Sequence, residues 1–348
     1  MKLVRVVKNW DWPNLMRQTP NGLGIWDNLK FTTEPVEECD YLIALSLVTN
    51  AFSIKSFKKN IWRINQEPPN EFFKFSHKAN KIFNRVFTSD PELKNDRFLQ
   101  SQPAIPWFID KSYDELKKTV AVQKKYNLSC VTSLKTNFLG HKKRLEFIKN
   151  LNNEVDLDLI ATFDYYKRAD KTLEFSQFAI SQKNLGFNKV VKNKWQALAP
   201  YRYSLIIENF RGPNYWSEKL SDCFLAHTMP IYYGCTNLND YFPKNSFISV
   251  DIEDNKSIDR IKKIIKRKLL PSNLQAIEKA RNLVLNKFQF FPFFATFIKA
   301  WEQKFKSKKR EKESITVPKE DTLMLSGKMA LSSRWQNFKV KINKISQS

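Results

Sequence analysis

Short apolar runs recur in the first hundred residues between longer polar stretches: KLVRVV at 2–7, DYLIALSLV at 40–48, NIWRIN at 60–65 and KIFNRVFTSD at 81–90. Runs of this length, bounded by turn signals and separated by polar or helix-periodic segments, predict βα units and a parallel sheet. Within DKSYDELKKTVAVQKKYN the pattern changes to that of a connecting helix or linker, placed at 112–127. A second series then begins with LSCVTSLK at 128–135 and continues through the helical HKKRLEFIKNL, the strand VDLDLIATF, a helix ending in WQALAPY and the strand YRYSLIIEN. It closes with a helix opened by Trp216, the strand MPIYYG and the strand FISVD at 247–251. Two successive α/β series predict two facing Rossmann-like domains, residues 1–111 and 128–300.

After residue 255 the chain turns helical and basic. Ile258, Ile261, Ile264, Ile265 and Leu269 fall on one face, with Lys262, Lys263, Lys266 and Arg267 on the other. That is the signature of an amphipathic helix packed on the sheet, with its basic face outward. Residues 301–348, from KFKSKKREKESITVPKED to a Ser/Lys-rich end, read as a basic, partly disordered tail.

Composition refines this picture. A chain of 348 residues with 42% hydrophobic content, nine Trp and 28 Phe can bury two cores. Its formal net charge of +24 implies a surface that attracts phosphate, whether on nucleic acid, anionic lipid or a diphosphate ligand. No RNP-like aromatic pattern, helix-turn-helix or zinc signature appears, so nucleic acid is not the expected partner. Cys39, Cys130, Cys223 and Cys235 are scattered, with no pair at metal-knuckle or redox spacing, and read as reduced thiols. The start, MKLVRVVKNWDWP, is too briefly apolar for a signal segment, and no window of roughly 18 uninterrupted apolar residues follows. The expected location is the cytoplasm, peripheral to the membrane where the 255–270 helix and tail meet an anionic leaflet.

With only seven glycines, the chain has neither a G-x-G-x-x-G nor a Walker loop, so a phosphate-bearing ligand needs side chains and a helix N-terminus. One stretch offers them: ENFRGPNYWSEK, residues 208–219. Asn209 and Gly212 end a predicted strand, where open α/β sheets bind ligands, and Glu218 and Lys219 fall in the first turn of the next helix. Taken alone, Glu218 equally complements the helix dipole and Lys219 is a solvated lysine. Asp156-Leu157-Asp158 matches the D-x-D spacing of metal-dependent transferases, but it reads as outward polarity of the strand VDLDLIATF.

The gapless run YRYSLIIENFRGPNYWSEKLSDCFLAHTMPIYYG, 201–234, resembles the signature of the α1,3-fucosyltransferases, glycosyltransferase family 10. LGFNKVVKNKWQALAPYRY before it and FISVDIED after it extend the resemblance at lower strength. The family implies an α/β fold of GT-B type, two facing Rossmann-like domains, here with a C-terminal helical segment and basic tail. It implies GDP-fucose as donor and a glycan or lipid-linked oligosaccharide as acceptor, commonly of the N-acetylglucosamine type. Carried onto this chain, Asn209, Tyr215, Glu218 and Lys219 match donor-binding positions, with Lys219 on the diphosphate and Glu218 near ribose or fucose hydroxyls. Arg144 falls where the family places a diphosphate-clamping arginine, although Lys142 and Lys143 could serve equally. The family's Glu-Ser-Pro supplies a catalytic base; here NIWRIN runs into QEPP, so Glu67 is the candidate, with Pro in place of Ser. With positive side chains on the leaving group, no metal or other cofactor is expected. Looser resemblance to exostosin-like transferases using UDP-sugars and a non-catalytic basic membrane- or nucleic-acid-binding role are the alternatives.

Overall fold

A computed structural model describes residues 1–11, 13–69, 79–134, 136, 139–167, 172–305 and 311–320. The first hundred residues supply eight strands, β1 (Lys2–Val7), β2 (Ile25–Trp26), β3 (Leu29–Thr32), β4 (Tyr41–Leu45), β5 (Phe52–Ser56), β6 (Ile61–Ile64), β7 (Arg85–Thr88) and β8 (Phe98–Gln100); the four apolar runs account for β1, β4, β6 and β7, and the others lie outside them. Seven of them form one sheet in the order β2-β3-β1-β4-β6-β7-β8, parallel except where β2 meets β3. Every residue of β4 and of β6 is buried, as expected for a parallel strand covered on both faces.

The second series supplies β9 (Tyr126–Val131), β10 (Asp158–Thr162), β11 (Lys189–Val191), β12 (Tyr201–Gly212), β13 (Met229–Cys235) and β14 (Ile248–Ser249). These are all parallel, in the order β11-β10-β9-β12-β13-β14. That is the doubly wound order of a Rossmann fold, in which the winding reverses between β9 and β12. Its helices are α1 (Tyr113–Lys118), α2 (Leu139–Asn152), α3 (Phe163–Lys167), α4 (Phe175–Asn184), α5 (Lys194–Leu198), α6 (Glu218–Leu225), α7 (Ser257–Ile265) and α8 (Pro271–Leu283). On α7, Ile261 and Ile265 are buried under the second sheet while Arg260 and Lys263 are exposed.

A final helix, α9 (Phe290–Lys304), departs from the expected division of the chain. The sequence pattern places 128–300 with the second domain, yet α9 buries Phe290, Phe291, Phe294, Ile298 and Trp301 against Val4, Phe31, Tyr41, Trp62 and Phe87 of the first sheet. A π-helical turn at Val284–Phe288 carries the chain from α8 to α9. Gln289 then caps α9 by accepting from the Phe291 N–H at 3.0 Å and reaches back to the Gln18 carbonyl at 3.1 Å. Local periodicity cannot reveal which of two sheets such an aromatic face will cover.

The expected tail also contains structure. A last strand, β15 (Glu313–Val317), pairs antiparallel with β5, and Val317 is buried with Leu42, Ile54, Ile61 and Phe83 on the opposite face of the first sheet. Residues 321–348 of that tail lie outside the described residues.

The expected connecting segment, 112–127, holds the short helix α1 and is mostly exposed, with Tyr113 and Leu116 buried, while the residues just before it are packed inside. Trp107 and Ile109 are 1% and 0% exposed and pack with Trp216, Leu220 and Phe224. Asp222, on α6, accepts the Phe108 and Ile109 N–H groups at 2.9 and 3.0 Å and is ion-paired to Lys194 at 2.6 Å. Arg17 from the first domain donates to the Trp107 and Ile109 carbonyls at 3.1 and 3.0 Å.

Because α9 is a structural part of the first domain, Phe291→Ala should lower stability by about 3–5 kcal/mol through loss of a fully buried ring against Phe31 and Phe290. Chemical denaturation checks this, with a change under about 1 kcal/mol counting against the packing.

Candidate nucleotide-sugar site

The C-terminal end of β12 leaves the regular ladder. Ile207 pairs with Tyr233, but the next pairing is Gly212 with Cys235, so Glu208 to Arg211 form an irregularity beside the point where the winding reverses. Two residues there receive side chains from elsewhere. Glu208, 1% exposed, accepts from the Ser217 N–H at 2.8 Å and the Ser217 hydroxyl at 2.7 Å. Asn209 Oδ1 accepts from Arg144 Nη1 at 2.7 Å.

Two glycines permit these approaches. A Cβ on Gly140, in the first turn of α2, would stand 2.3 Å from the Asn209 carbonyl oxygen, so α2 can sit on the strand end only with glycine there. A Cβ on Gly234 would meet Glu208 Cγ at 2.6 Å and the Tyr232 hydroxyl at 2.7 Å, and its φ of +157° is one that other residues rarely adopt. The final Gly of MPIYYG therefore makes room for the Glu208 side chain.

Arg144 is buried and joins the two sides of the reversal. Besides Asn209 it donates through Nη2 to the Ser133 carbonyl, just beyond β9, at 3.0 Å. Burial lowers its pKa, while Cys130, Glu208 and Glu218 act in the opposite direction. Lys142 and Lys143 are exposed, and Lys143 is engaged with Glu253. Of the three basic residues left open by the sequence, Arg144 alone is hydrogen-bonded to the end of β12.

The helix after the loop begins at Glu218, two residues later than its pattern suggests. Ser217 is its N-cap and accepts the Lys219 N–H at 3.4 Å, while Trp216 is buried against Phe242 and Phe288. The Lys219 ammonium lies 3.0 Å from the Ser217 hydroxyl, 3.4 Å from Glu218 and 3.5 Å from Glu208. Burial disfavours its charge, but Glu218 and Glu208 outweigh that and raise its pKa. Glu218 is held the other way: burial acts to raise its carboxyl, and Lys219 and then Lys194 pull it below the ordinary value. Ionised carboxylates and ammonium thus balance one another at the start of α6, where free N–H groups and the positive helix end also favour an anion.

Tyr215 is 4% exposed, with its ring edge-to-face on Phe210 at 5.9 Å. Its phenol is raised well above the ordinary value by burial and then by the charges of Glu208, Glu67 and Glu218. That influence brings Glu67, from the first domain, into the same electrostatic neighbourhood as the donor-side residues. Glu67 is exposed on the loop after β6. The loop is anchored by its neighbour Gln66, whose N–H donates to the Ser46 hydroxyl at 3.2 Å and whose amide reaches the Pro103 and Ala104 carbonyls at 3.4 Å.

Of the six candidates, Asn209 is at the end of β12, Glu218 and Lys219 open α6, Tyr215 and Glu67 lie on the loops that follow β12 and β6, and Arg144 is in the second turn of α2. The D-x-D carboxylates lie elsewhere. Asp158 opens β10, at the N-terminal end of the strand, and is bonded to Tyr201 and Lys189, so it is neither the solvated strand residue expected nor part of this cluster. Among the described residues no group of three or more His, Cys, Asp and Glu side chains is arranged to hold a metal ion. Pattern reading passed over Glu208 and Ser217. Both lie inside the quoted stretch, but their importance follows from burial and capping, and the one signal available was a carboxylate nine residues ahead of a Ser-Glu-Lys.

Glu218 yields a pH signature. Its lowered pKa means that its contribution to stability is present above the unfolded value of 4.5 and is lost as pH falls through the lower folded value. Stability of the unaltered protein should drop more steeply below pH 4.5 than that of Glu218→Gln, as measured by denaturant titrations across that range; parallel curves would contradict the assigned pairing.

Residues 122–270 match the model of glycosyltransferase family 10 (fucosyltransferase), C-term. An alpha-(1,3)-fucosyltransferase of Helicobacter pylori is 39% identical over 83 residues, a match that covers 23% of this chain and 17% of that protein. Among solved structures, an alpha1,3-fucosyltransferase with GDP-fucose aligns over 90% of this chain and 93% of its own at 19% identity, with a TM-score of 0.45. An alpha-glucosyltransferase in complex with UDP and a DNA 13-mer aligns over 86% of this chain and 99% of its own at 12% identity and a TM-score of 0.50, a likeness of fold alone. The fold is of GT-B type, and the segment that matches the C-terminal model of glycosyltransferase family 10 (fucosyltransferase), residues 122–270, holds Arg144, Asn209, Tyr215, Glu218 and Lys219.

Proposed function

We propose that the protein is an inverting fucosyltransferase that moves L-fucose from GDP-fucose to a hydroxyl of an acceptor glycan, in α1,3 linkage to a sugar of the N-acetylglucosamine type. The observation that carries this reading is the Arg144–Asn209 bond across the reversal of the second sheet, with Lys219 at the adjacent helix start, all within the family-matched segment. Nucleotides bind at such a reversal because strand ends and helix N-termini converge there.

In this mechanism the diphosphate lies between Arg144 and Lys219. As the bond from fucose to GDP breaks, charge develops on the leaving phosphate oxygen and is met by the two cations and the α6 N-terminus. Glu218 accepts from ribose or fucose hydroxyls. Glu67, presented from the opposite domain, takes the proton of the acceptor hydroxyl as that oxygen attacks the anomeric carbon from the opposite face. The leaving-group charge is handled by side chains, so the reaction proceeds without a metal.

One experiment tests these roles together: donor hydrolysis and transfer with a panel of GDP- and UDP-sugars, after exhaustive chelation. Glu67→Gln should lower kcat by ~10²–10⁴ with GDP affinity unchanged, and Lys219→Ala should weaken GDP binding. Near-normal turnover of Glu67→Gln removes it as the base. Unchanged GDP affinity of Lys219→Ala removes the diphosphate assignment. Turnover that requires an added divalent ion, or preference for UDP-sugars, contradicts the donor chemistry.

A membrane-facing role is supported by one surface. Lys266, Arg267 and Lys268 follow α7 in exposed positions, and beside them Leu270 and Leu274 remain 63% and 52% exposed. Basic side chains flanking bare leucines fit an anionic lipid surface, where each Lys or Arg contributes about 1 kcal/mol. No helix among the described residues is long and apolar enough to cross a membrane. Cosedimentation with phosphatidylserine-containing vesicles at low salt should be reduced by Leu270→Ser with Leu274→Ser; a protein that remains in the supernatant excludes the contact.

A further inference from the structure

Arg63 is the third residue of β6, fully buried between Ala44 of β4 and Val86 of β7 in the first sheet. A guanidinium withdrawn from water needs partners. Arg63 Nη1 donates to Asn80 Oδ1 at 3.1 Å, its plane lies 4.5 Å from the centre of the Phe83 ring, and its one anionic partner among the described residues is Glu320. Burial brings its pKa down to about 9, so a counter-charge favours the protonated form.

Glu320 comes from the far end of the chain. Lys312 pairs with Glu38 at 2.7 Å and with Asp40 at 3.0 Å, β15 zips along β5, and Val317 enters the apolar cluster under the sheet. The chain then exchanges two hydrogen bonds with Val48: the Glu320 N–H donates to the Val48 carbonyl at 2.9 Å, and the Val48 N–H donates to Glu320 Oε1 at 3.0 Å. A single carboxylate 8% exposed thus bridges the segment after β4 and the middle of β6.

Both anchored points lead directly to Glu67. Val48 lies two residues beyond Ser46, whose φ is +57° and whose hydroxyl holds the Gln66 N–H. Arg63 precedes Glu67 by four residues, through Asn65, whose N–H is held by the Phe87 carbonyl at 2.9 Å. We propose that residues 312–320 form a strap that sets the loop carrying Glu67, with Glu320 as a positioning residue acting through Arg63 and Val48. Its effect on turnover rests on Glu67 as the base; its effect on the loop does not.

The test uses the full chain with Glu320→Ala and Glu320→Gln, with Glu67→Gln in parallel. Hydrogen exchange is read at the Asn65 and Gln66 amides, with the Ile206 and Tyr232 amides of the second sheet as internal references, alongside kcat and GDP affinity. Loss of Glu320 should speed exchange at Asn65 and Gln66 but not at the references. It should lower kcat by about ten- to a hundredfold, a scale set by the sensitivity of proton transfer to small misplacements, and leave GDP affinity unchanged. Should Glu320→Ala fail to fold, Glu320→Gln carries the same measurement, because it keeps the volume and an acceptor for the Val48 amide. Exchange at Asn65 and Gln66 equal to that of the unaltered protein overturns the strap, as does acceleration that is no greater there than at the references. If the two amides loosen while Glu67→Gln retains normal turnover, the strap stands and the base lies elsewhere.

Discussion

Glu208 is a carboxylate with almost no contact with water, and a buried carboxylate must find donors or lose its charge. Its donors here are the N–H and hydroxyl of Ser217, with the Lys219 ammonium beyond. Satisfying Glu208 therefore joins the end of β12 to the start of α6 and presents Lys219 beside the strand end. The same strand end carries Asn209, which holds Arg144 from α2. Gly140 and Gly234 are required because two backbones and one side chain converge on this point too closely for a Cβ. Donor-side chemistry on this reading is a consequence of how one strand ends.

The two domains are tied by polar groups as well as by apolar packing. Asp222 sits on the helix that presents Glu218 and Lys219, and it accepts the backbone of the segment leaving the first domain. Its ion pair with Lys194 offsets the burial that raises its pKa. The chain crosses between domains again through the π-turn at Val284–Phe288, after which α9 covers the first sheet. Two crossings of this kind couple the position of Glu67 to that of the residues proposed to bind the nucleotide, and Glu67 already lies near enough to act electrostatically on Tyr215.

The first domain depends on sequence-distant pieces to an unusual degree. Among its described residues the connections between strands are short 3₁₀ turns such as Leu15–Gln18 and Lys58–Asn60 rather than α-helices. Its two faces are sealed instead by α9 and by the β5–β15 pair. Apolar area buried this way is contributed by residues some 250 positions apart, so the C-terminal region is as much a part of the first core as β1.

The pattern of hydrophobic positions determined the parallel strands, because a strand buried on both faces must be apolar along its length, as in LIAL of β4 and PIYY of β13. The gapless motif from Tyr201 to Gly234 determined where the candidate donor-site residues would gather, since strand end, loop and helix start are contiguous there. Tertiary structure alone decided the rest. Which sheet α9 covers depends on the space left open by the other elements, and whether ESITV becomes a strand depends on β5 offering an unpaired edge. The choice of Arg144 over Lys142 and Lys143 turns on which side of α2 faces β12, a matter of helix phase set by Gly140. The distinct fates of Glu208 and Asp158, both carboxylates in β-strands, follow from the end of the strand each occupies: one toward the C-terminal end, where the sheet's helices begin, the other at the N-terminal end.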